Sequence, residues 1–104
     1  MTSSLKTTIS LAVQHGEREL LDLRGKSFQE LGVAQPSATR ELGGLPRRAS
    51  LTTYVDHLNG ELQVAVQVIA YGWLGYSRVW AQGFRVRQDG SRRDLLDSEL
   101  WEYT

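Results

Sequence analysis

The 104-residue sequence contains no cysteine. This absence excludes disulfide bonds, thiolate metal sites and cysteine nucleophiles, and it is compatible with a reducing compartment. No apolar run approaches the length of a membrane-spanning helix, and the first residues lack a basic region followed by an apolar stretch. We therefore expect a soluble, cytoplasmic protein with no membrane partner.

The chain also lacks an excess of either charge, with 12 basic and 12 acidic side chains. This balance excludes a general electrostatic attraction for nucleic acid or anionic lipid. The charges are nevertheless segregated, because residues 76–93 hold five basic groups and one acidic group, whereas residues 94–104 hold four acidic groups and no basic group. Whether the arginines are free for a partner therefore depends on where the acidic end packs.

Apart from these absences, the composition is that of an ordinary globular domain. Apolar residues make up 40% of the chain and charged residues 23%, which is typical of a folded protein and not of a disordered one. A chain of this length buries enough surface to form a core without metal or disulfide bonds. We expect a single domain over residues 1–104.

The clearest pattern is a β-hairpin in the second half. Residues 49–58 and 61–71 alternate apolar and polar side chains around Asn59-Gly60, a dipeptide typical of a two-residue hairpin turn. Pairing Leu58 with Glu61 gathers the apolar residues of both strands on one face, and a slip of one residue would destroy that separation. The pattern therefore predicts the register as well as the hairpin.

A third strand is predicted over residues 76–88, after a tight connection through Gly72-Trp73-Leu74-Gly75. Its apolar positions change parity at Gly83, which predicts a β-bulge at that glycine. With the bulge, four apolar residues of this strand face the core: Val79, Ala81, Phe84 and Val86.

The C-terminal residues predict a short strand followed by helical turns. Asp89-Gly90 is a turn signal, so that residues 91–96 can return as a fourth strand. Asp97 is a candidate helix N-cap, and the apolar residues after it recur at helical spacing.

The N-terminal half fits two interpretations. Residues 6–14 alternate with a period of two, which favours a strand, although a helix beginning at Ser3 or Ser4 also fits. Residues 18–23 fit either a helical stripe or a second strand paired through His15-Gly16.

The rest of that half is a short helix and a connection. Ser27 and Glu30 have the spacing of a capping box, which predicts a short helix after them. Residues 32–48 predict a connecting stretch with a helical turn over residues 37–42.

Together these patterns predict an α+β fold. Its centre is an antiparallel β-meander of three to four strands, with one or two helices from the N-terminal half packed on one face and a short C-terminal helical turn. The predicted strands span about 49–58, 61–71, 76–88 and 91–96.

No motif identifies a reaction. Gly25-Lys26-Ser27 matches the end of a phosphate-binding loop, but position 20 is leucine where that loop needs a glycine. His15 and His57 have no neighbour at metal-ligand spacing. Asp56 and His57 are adjacent on a predicted strand and so point to opposite faces, which argues against a catalytic triad. The acidic C-terminal residues fit a solvated helix face better than a carboxylate pair or a calcium loop. We predict no catalytic residue, metal site or cofactor.

One constellation stands out, on the sheet face opposite the predicted core. Aromatic and arginine side chains dominate protein-interface hot spots because each combines a large contact area with a polar group. The alternative is that the N-terminal half covers this face and makes its aromatic residues part of the core. The predicted partner-binding residues are Tyr76, Arg78, Trp80, Arg85 and Arg87.

The function expected from this surface is that of a small, non-catalytic binding module. Such a module is an adaptor, an inhibitor, an immunity-type protein or a self-associating protein. It binds another protein through this face, or a second copy of itself through the unprotected edge of the third or fourth strand. An alternative is single-stranded nucleic-acid binding by the same face, which the zero net charge disfavours. A further alternative is a small-ligand pocket, or an enzyme of unidentified chemistry.

Overall fold

The computed structural model describes residues 2–104, and its secondary structure confirms an α+β fold. One long helix, one short helix and a single 3-10 turn accompany five strands among these residues. The helices are α1 (Thr2–Arg24) and α2 (Phe28–Gly32), the strands are β1 (Ser37–Leu42), β2 (Ala49–Leu58), β3 (Glu61–Tyr71), β4 (Ser77–Arg87) and β5 (Arg92–Asp94), and the 3-10 turn is Trp101–Tyr103.

All five strands form one antiparallel meander in the order β1-β2-β3-β4-β5. The predicted hairpin register is confirmed, since Leu58 pairs with Glu61 and Ala49 pairs with Ala70. Gly60, the second residue of the turn, has φ +74°, a conformation that favours glycine. The sheet has one strand more than the predicted maximum, because β1 lies where we expected a helical turn over residues 37–42.

The strand favoured for residues 6–14 is wrong, and so is the hairpin through His15-Gly16. Both segments belong to α1, which packs along the sheet. The helix is stabilised because Ala12, Leu20 and Leu23 are buried on one side of it, at spacings that only a helix brings together. The strand interpretation rested on a window too short to include Leu20 and Leu23.

The capping box is confirmed at the start of α2. The backbone N–H of Glu30 donates to Ser27 Oγ at 3.1 Å, and the backbone N–H of Ser27 donates to Glu30 Oε1 at 3.2 Å. These two bonds satisfy N–H groups that a helix leaves unpaired at its first turn. The short helix then places Leu31 in the core, where it is fully buried.

Both faces of the sheet carry a buried layer. We call the side covered by α1 the helix face, and its core contains Leu51, Val64, Val66, Val68 and Phe84. We call the opposite side the C-terminal face, because residues after β5 pack on it. Its cluster consists of Ala65, Ala81, Leu95, Leu100 and Tyr103.

The β-bulge predicted at Gly83 is absent. Gly83 pairs with Ala65, and the register runs without interruption from Glu61 opposite Arg87 to Tyr71 opposite Ser77. A Cβ atom at Gly83 would lie 2.2 Å from the carbonyl oxygen of Val64, so that only glycine fits. The apolar residues of β4 change parity because the strand is buried on both faces of the sheet. Ala81 packs on the C-terminal face, whereas Phe84 and Val86 pack on the helix face.

The C-terminal segment contains less regular secondary structure than predicted. Strand β5 covers three residues instead of the predicted 91–96. The 3-10 turn has Leu100 at its N-cap position with no side-chain hydrogen bond, so Asp97 does not cap it. Within the part of the chain that the structure describes, no helix combines the length and the apolar composition needed to cross a bilayer.

Candidate functional site

The five predicted partner-binding residues do not share a surface. Because β4 has no bulge, Arg78 and Trp80 lie on the helix face, whereas Arg85 and Arg87 lie on the C-terminal face. Tyr76 belongs to the loop before β4 and is exposed. Trp80 packs against the core of the helix face, and a Cβ atom at Gly16 would lie 2.6 Å from its ring. Helix α1 therefore covers Trp80, as the alternative interpretation of the sequence predicts.

The arginines of the C-terminal face are paired with carboxylates. Arg85 Nη2 lies 2.9 Å from Glu99 Oε2, and Arg85 Nε donates to Gln63 Oε1 at 2.9 Å. Arg87 Nε donates to Glu61 Oε1 at 2.8 Å. The acidic end of the chain thus packs against the arginine segment through Glu99, which pairs with Arg85 and Arg93, whereas Arg87 pairs with Glu61 outside that end.

Tyr103 fastens that acidic end to the sheet. Its buried ring lies 5.0 Å from the ring of Tyr54, and its hydroxyl donates to Asp56 Oδ2 at 2.6 Å. Gln63 Nε2 donates to the same hydroxyl at 2.9 Å. Burial, followed by the hydrogen bond to Asp56, raises the pKa of Tyr103 above its usual value. A phenol held protonated in this way serves as a structural anchor.

Glu99 makes this packing sensitive to acid. Hydrogen bonds from Arg93 and from the backbone N–H of Leu96 lower the pKa of Glu99 from 4.5 to about 2. A carboxyl whose pKa is lower in the folded state stabilises the fold above its unfolded pKa, and this stability is lost as the pH falls toward the folded value.

We therefore expect the free energy of unfolding to fall between about pH 5 and pH 2.5, and to fall less in Glu99→Gln. Urea denaturation followed by circular dichroism across this range measures the effect. The control is Asp97→Asn, which removes an exposed carboxylate from the same segment. An identical pH dependence in wild type and Glu99→Gln would contradict the assignment.

The other candidates from the sequence do not converge on a reaction. Gly25-Lys26-Ser27 connects the two helices, with Ser27 engaged as the α2 cap. His15 lies on α1 and His57 near the end of β2, while Asp56 accepts from Tyr103. Over residues 2–104, no group of three or more His, Asp or Glu side chains is placed to hold a metal ion.

Among the residues that the structure describes, the most exposed apolar feature is the loop between β3 and β4, of which the sequence predicts residues 72–75 only as a connection and Tyr76 as a binding residue. We call Trp73, Leu74 and Tyr76, in the turn between β3 and β4, the aromatic tip. Their exposed fractions are 69%, 92% and 75%. Three large apolar side chains at one turn form a patch of the kind that marks a binding surface.

The turn holds the tip in a defined and strained conformation. The backbone N–H of Tyr76 donates to the Trp73 carbonyl at 2.9 Å, and the N–H of Gly72 donates to the Tyr76 carbonyl at 2.8 Å. Leu74 has φ +54° and Gly75 has φ +82°, the signs required by a type I′ turn. Leu74 is the only non-glycine residue with positive φ in the described chain. A leucine in this conformation costs about 1–2 kcal/mol. Because the Leu74 side chain is exposed, burial of its apolar surface does not offset this cost.

The aromatic tip borders a groove of about 530 Å³. Leu5, Trp73 and Tyr76 supply apolar walls, and Arg47 and Arg78 supply positive charge. Among the described residues that line the groove there is no carboxylate and no imidazole, the groups that most often act as acids and bases. The groove is therefore suited to an apolar ligand that carries a negative charge.

Helix α1 fixes one wall of this groove. The backbone N–H of Arg47 donates to Thr8 Oγ1 at 3.1 Å, and Arg47 Nε donates to Ser4 Oγ at 3.0 Å. The Arg47 guanidinium carbon then lies 5.8 Å from the centre of the Trp73 ring. These contacts hold a cation next to the tip, and no acid among residues 2–104 forms an ion pair with it.

Comparison of the chain with known proteins gives no match to any protein-family model, curated protein or solved structure.

Proposed function

We propose that the chain is a non-catalytic binding module that recognises a partner protein with its aromatic tip. The partner supplies an apolar side chain next to an acidic one. The apolar group packs against Leu5, Trp73 and Tyr76, and the acidic group pairs with Arg47 or Arg78. This keeps the class of function that the sequence predicts and moves the surface from the sheet face to the β3–β4 turn.

The main support for the proposal is the exposed and strained conformation of Leu74. A turn of this type is most stable with Asn-Gly at its centre, and here the chain has Leu-Gly. An apolar residue that is 92% exposed and held at positive φ lowers the stability of the free protein. Residues of this kind are retained where function requires them, so we assign Leu74 to contact with the partner.

Selection from a phage-displayed library of random linear peptides tests the proposal. Peptides captured by the wild-type chain should combine a large apolar residue with Asp or Glu. Leu74→Asn should weaken a selected peptide about 30-fold, the effect of losing one interface hot spot. The affinity is measured by fluorescence polarisation of the labelled peptide.

Leu74→Asn also separates binding from folding. Because Asn adopts positive φ with little strain, this variant should be more stable than wild type by about 1 kcal/mol while it binds less tightly. The matched controls are Leu96→Asn and Trp101→Ser, which alter side chains that are 62% and 81% exposed outside the tip. These controls should bind the peptide normally.

Two results would contradict the proposal. One is a set of selected peptides whose affinity is the same for wild type and Leu74→Asn. The other is tight, Leu74-dependent association with vesicles of anionic phospholipid and no selected peptide, which would assign the tip to a membrane surface.

A further inference from the structure

The outer edge of β4 is open over its first half. Strand β5 pairs only with Phe84, Arg85 and Val86, and the N–H of Leu95 extends that contact to the Gly83 carbonyl at 3.0 Å. Among residues 2–104, no strand pairs with residues 77–81 on that side. An edge of this kind is a template for a further strand.

The backbone groups that point outward at this edge can be identified. The bonds from Leu95 N–H to the Gly83 carbonyl and from Arg87 N–H to the Ser91 carbonyl show that odd-numbered residues of β4 face away from β3. In an antiparallel sheet, residues two apart on a strand direct their N–H and C=O groups to the same side. Ser77, Val79 and Ala81 therefore present their N–H and C=O groups along the open edge.

We propose that a second copy of this chain pairs with this edge, so that two sheets join through antiparallel β4 strands. A two-fold axis at Val79 places Val79 opposite its own copy and Ser77 opposite Ala81. This register uses every outward group of residues 77–81 and forms about six backbone hydrogen bonds. The edge is thus self-complementary, as a two-fold interface requires.

Charge complementarity supports the same register. This register places Arg78 of one copy opposite Trp80 of the other, on the helix face. There Trp80 borders a groove of about 470 Å³ that Glu17, Leu21 and Gln82 also line. Within the part of the chain described by the structure, neither Arg78 nor Glu17 makes an ion pair. Dimerisation brings Arg78 of each copy to Glu17 and the Trp80 indole of the other.

This inference rests on the strand edge and not on the aromatic tip, although Arg78 belongs both to the edge and to the groove beside the tip. The wild-type chain should have twice the monomer mass in size-exclusion chromatography with light scattering. Arg78→Glu and Glu17→Arg should each weaken the dimer at least about 10-fold, since like charges then meet twice across the axis.

An equimolar mixture of the two variants should dimerise again, because both contacts between positions 78 and 17 in the mixed dimer join opposite charges. One contact is the native pair, and the other is the same pair with its charges exchanged. Contacts within one chain cannot be restored by mixing. Lys26→Glu, which reverses an exposed charge away from the edge, should leave the dimer intact.

Val79→Pro tests the backbone bonds without relying on charge. Proline is tolerated at a strand edge where the N–H faces outward, so the variant should fold, as judged by circular dichroism, and remain monomeric. A monomeric wild type, as expected if the edge accepts a strand from a different protein, would overturn the proposal. So would single charge variants that dimerise like wild type, or a mixture that stays monomeric. Leu74→Asn should remain dimeric, so that failure at the tip and failure at the edge are distinguished.

Discussion

Gly83→Ala is expected to destabilise the protein by about 3 kcal/mol, the upper end of the range for overpacking a core. The added Cβ atom would lie 2.2 Å from the Val64 carbonyl oxygen and 3.0 Å from Ala65 Cα. These are backbone atoms of the central strand, so no change of side-chain conformation relieves the contact. Strands β3 and β4 must move apart, which weakens the pairing at the centre of the sheet.

Urea denaturation monitored by tryptophan fluorescence measures this loss. Gly43→Ala is the matched control, since a Cβ atom at Gly43 meets nothing within 4 Å. The control should unfold within about 0.5 kcal/mol of wild type. If Gly83→Ala matched the control, the Cβ atom would have room, as it would in the bulge that the sequence predicts, and the regular register of β4 would be wrong.

The hairpin of β2 and β3 could be predicted because its sequence permits one register only. Residues 49–70 alternate strictly around Asn59-Gly60, so a slip would move the whole apolar set to the other face. The start of α2 could be predicted because a capping box involves residues three apart in the chain, Ser27 and Glu30. Both features are local, and neither depends on the rest of the fold.

Helix α1 was mispredicted because Gly16 was interpreted as a turn. In the structure this glycine lies inside the helix, where its missing side chain lets the backbone approach the ring of Trp80. That approach joins two segments far apart in the chain. Nothing in the sequence next to Gly16 distinguishes a glycine that ends a strand from one that admits an aromatic ring.

The five predicted binding residues do not share one face for a related reason. Alternation identifies an exposed sheet face only where that face stays uncovered, and here Leu100 and Tyr103 cover the face that carries Arg85. Of the aromatic tip, the sequence predicted Tyr76 as a binding residue but not Trp73 and Leu74, although they lie close to it in the chain. The signal was the apolar Trp73-Leu74 pair inside a glycine-flanked turn, where polar residues are usual.

The attachment of the C-terminal segment leads to the second large effect. Tyr103→Ala is expected to lower the free energy of unfolding by about 3–5 kcal/mol, as other deletions of buried aromatic rings do. Tyr103→Phe keeps the ring and should lose about 1–3 kcal/mol, because Asp56 and Gln63 then lack their hydroxyl partner. Tyr76→Phe, at an exposed tyrosine, is the control and should match wild type within about 0.5 kcal/mol.

The pH dependence of Tyr103 separates its ring from its hydroxyl. Because the pKa of Tyr103 is raised in the folded state, its contribution to stability is complete below the usual value of 10.0 and is lost as the pH rises above it. Wild type should therefore lose more stability than Tyr103→Phe between about pH 9.5 and pH 11. Equal losses would show that the hydroxyl does not anchor the segment.

The same variants show whether the C-terminal segment controls the arginine face. With Tyr103→Ala, Glu99 should separate from Arg85 and Arg93 before the sheet unfolds, because the last residues contact it mainly through Leu95, Leu100 and Tyr103. Hydrogen exchange measured by mass spectrometry should then accelerate over residues 95–104 and remain slow in β3. Uniform acceleration across the chain would instead show that the segment and the sheet unfold as one cooperative unit, with the arginines paired until the fold is lost.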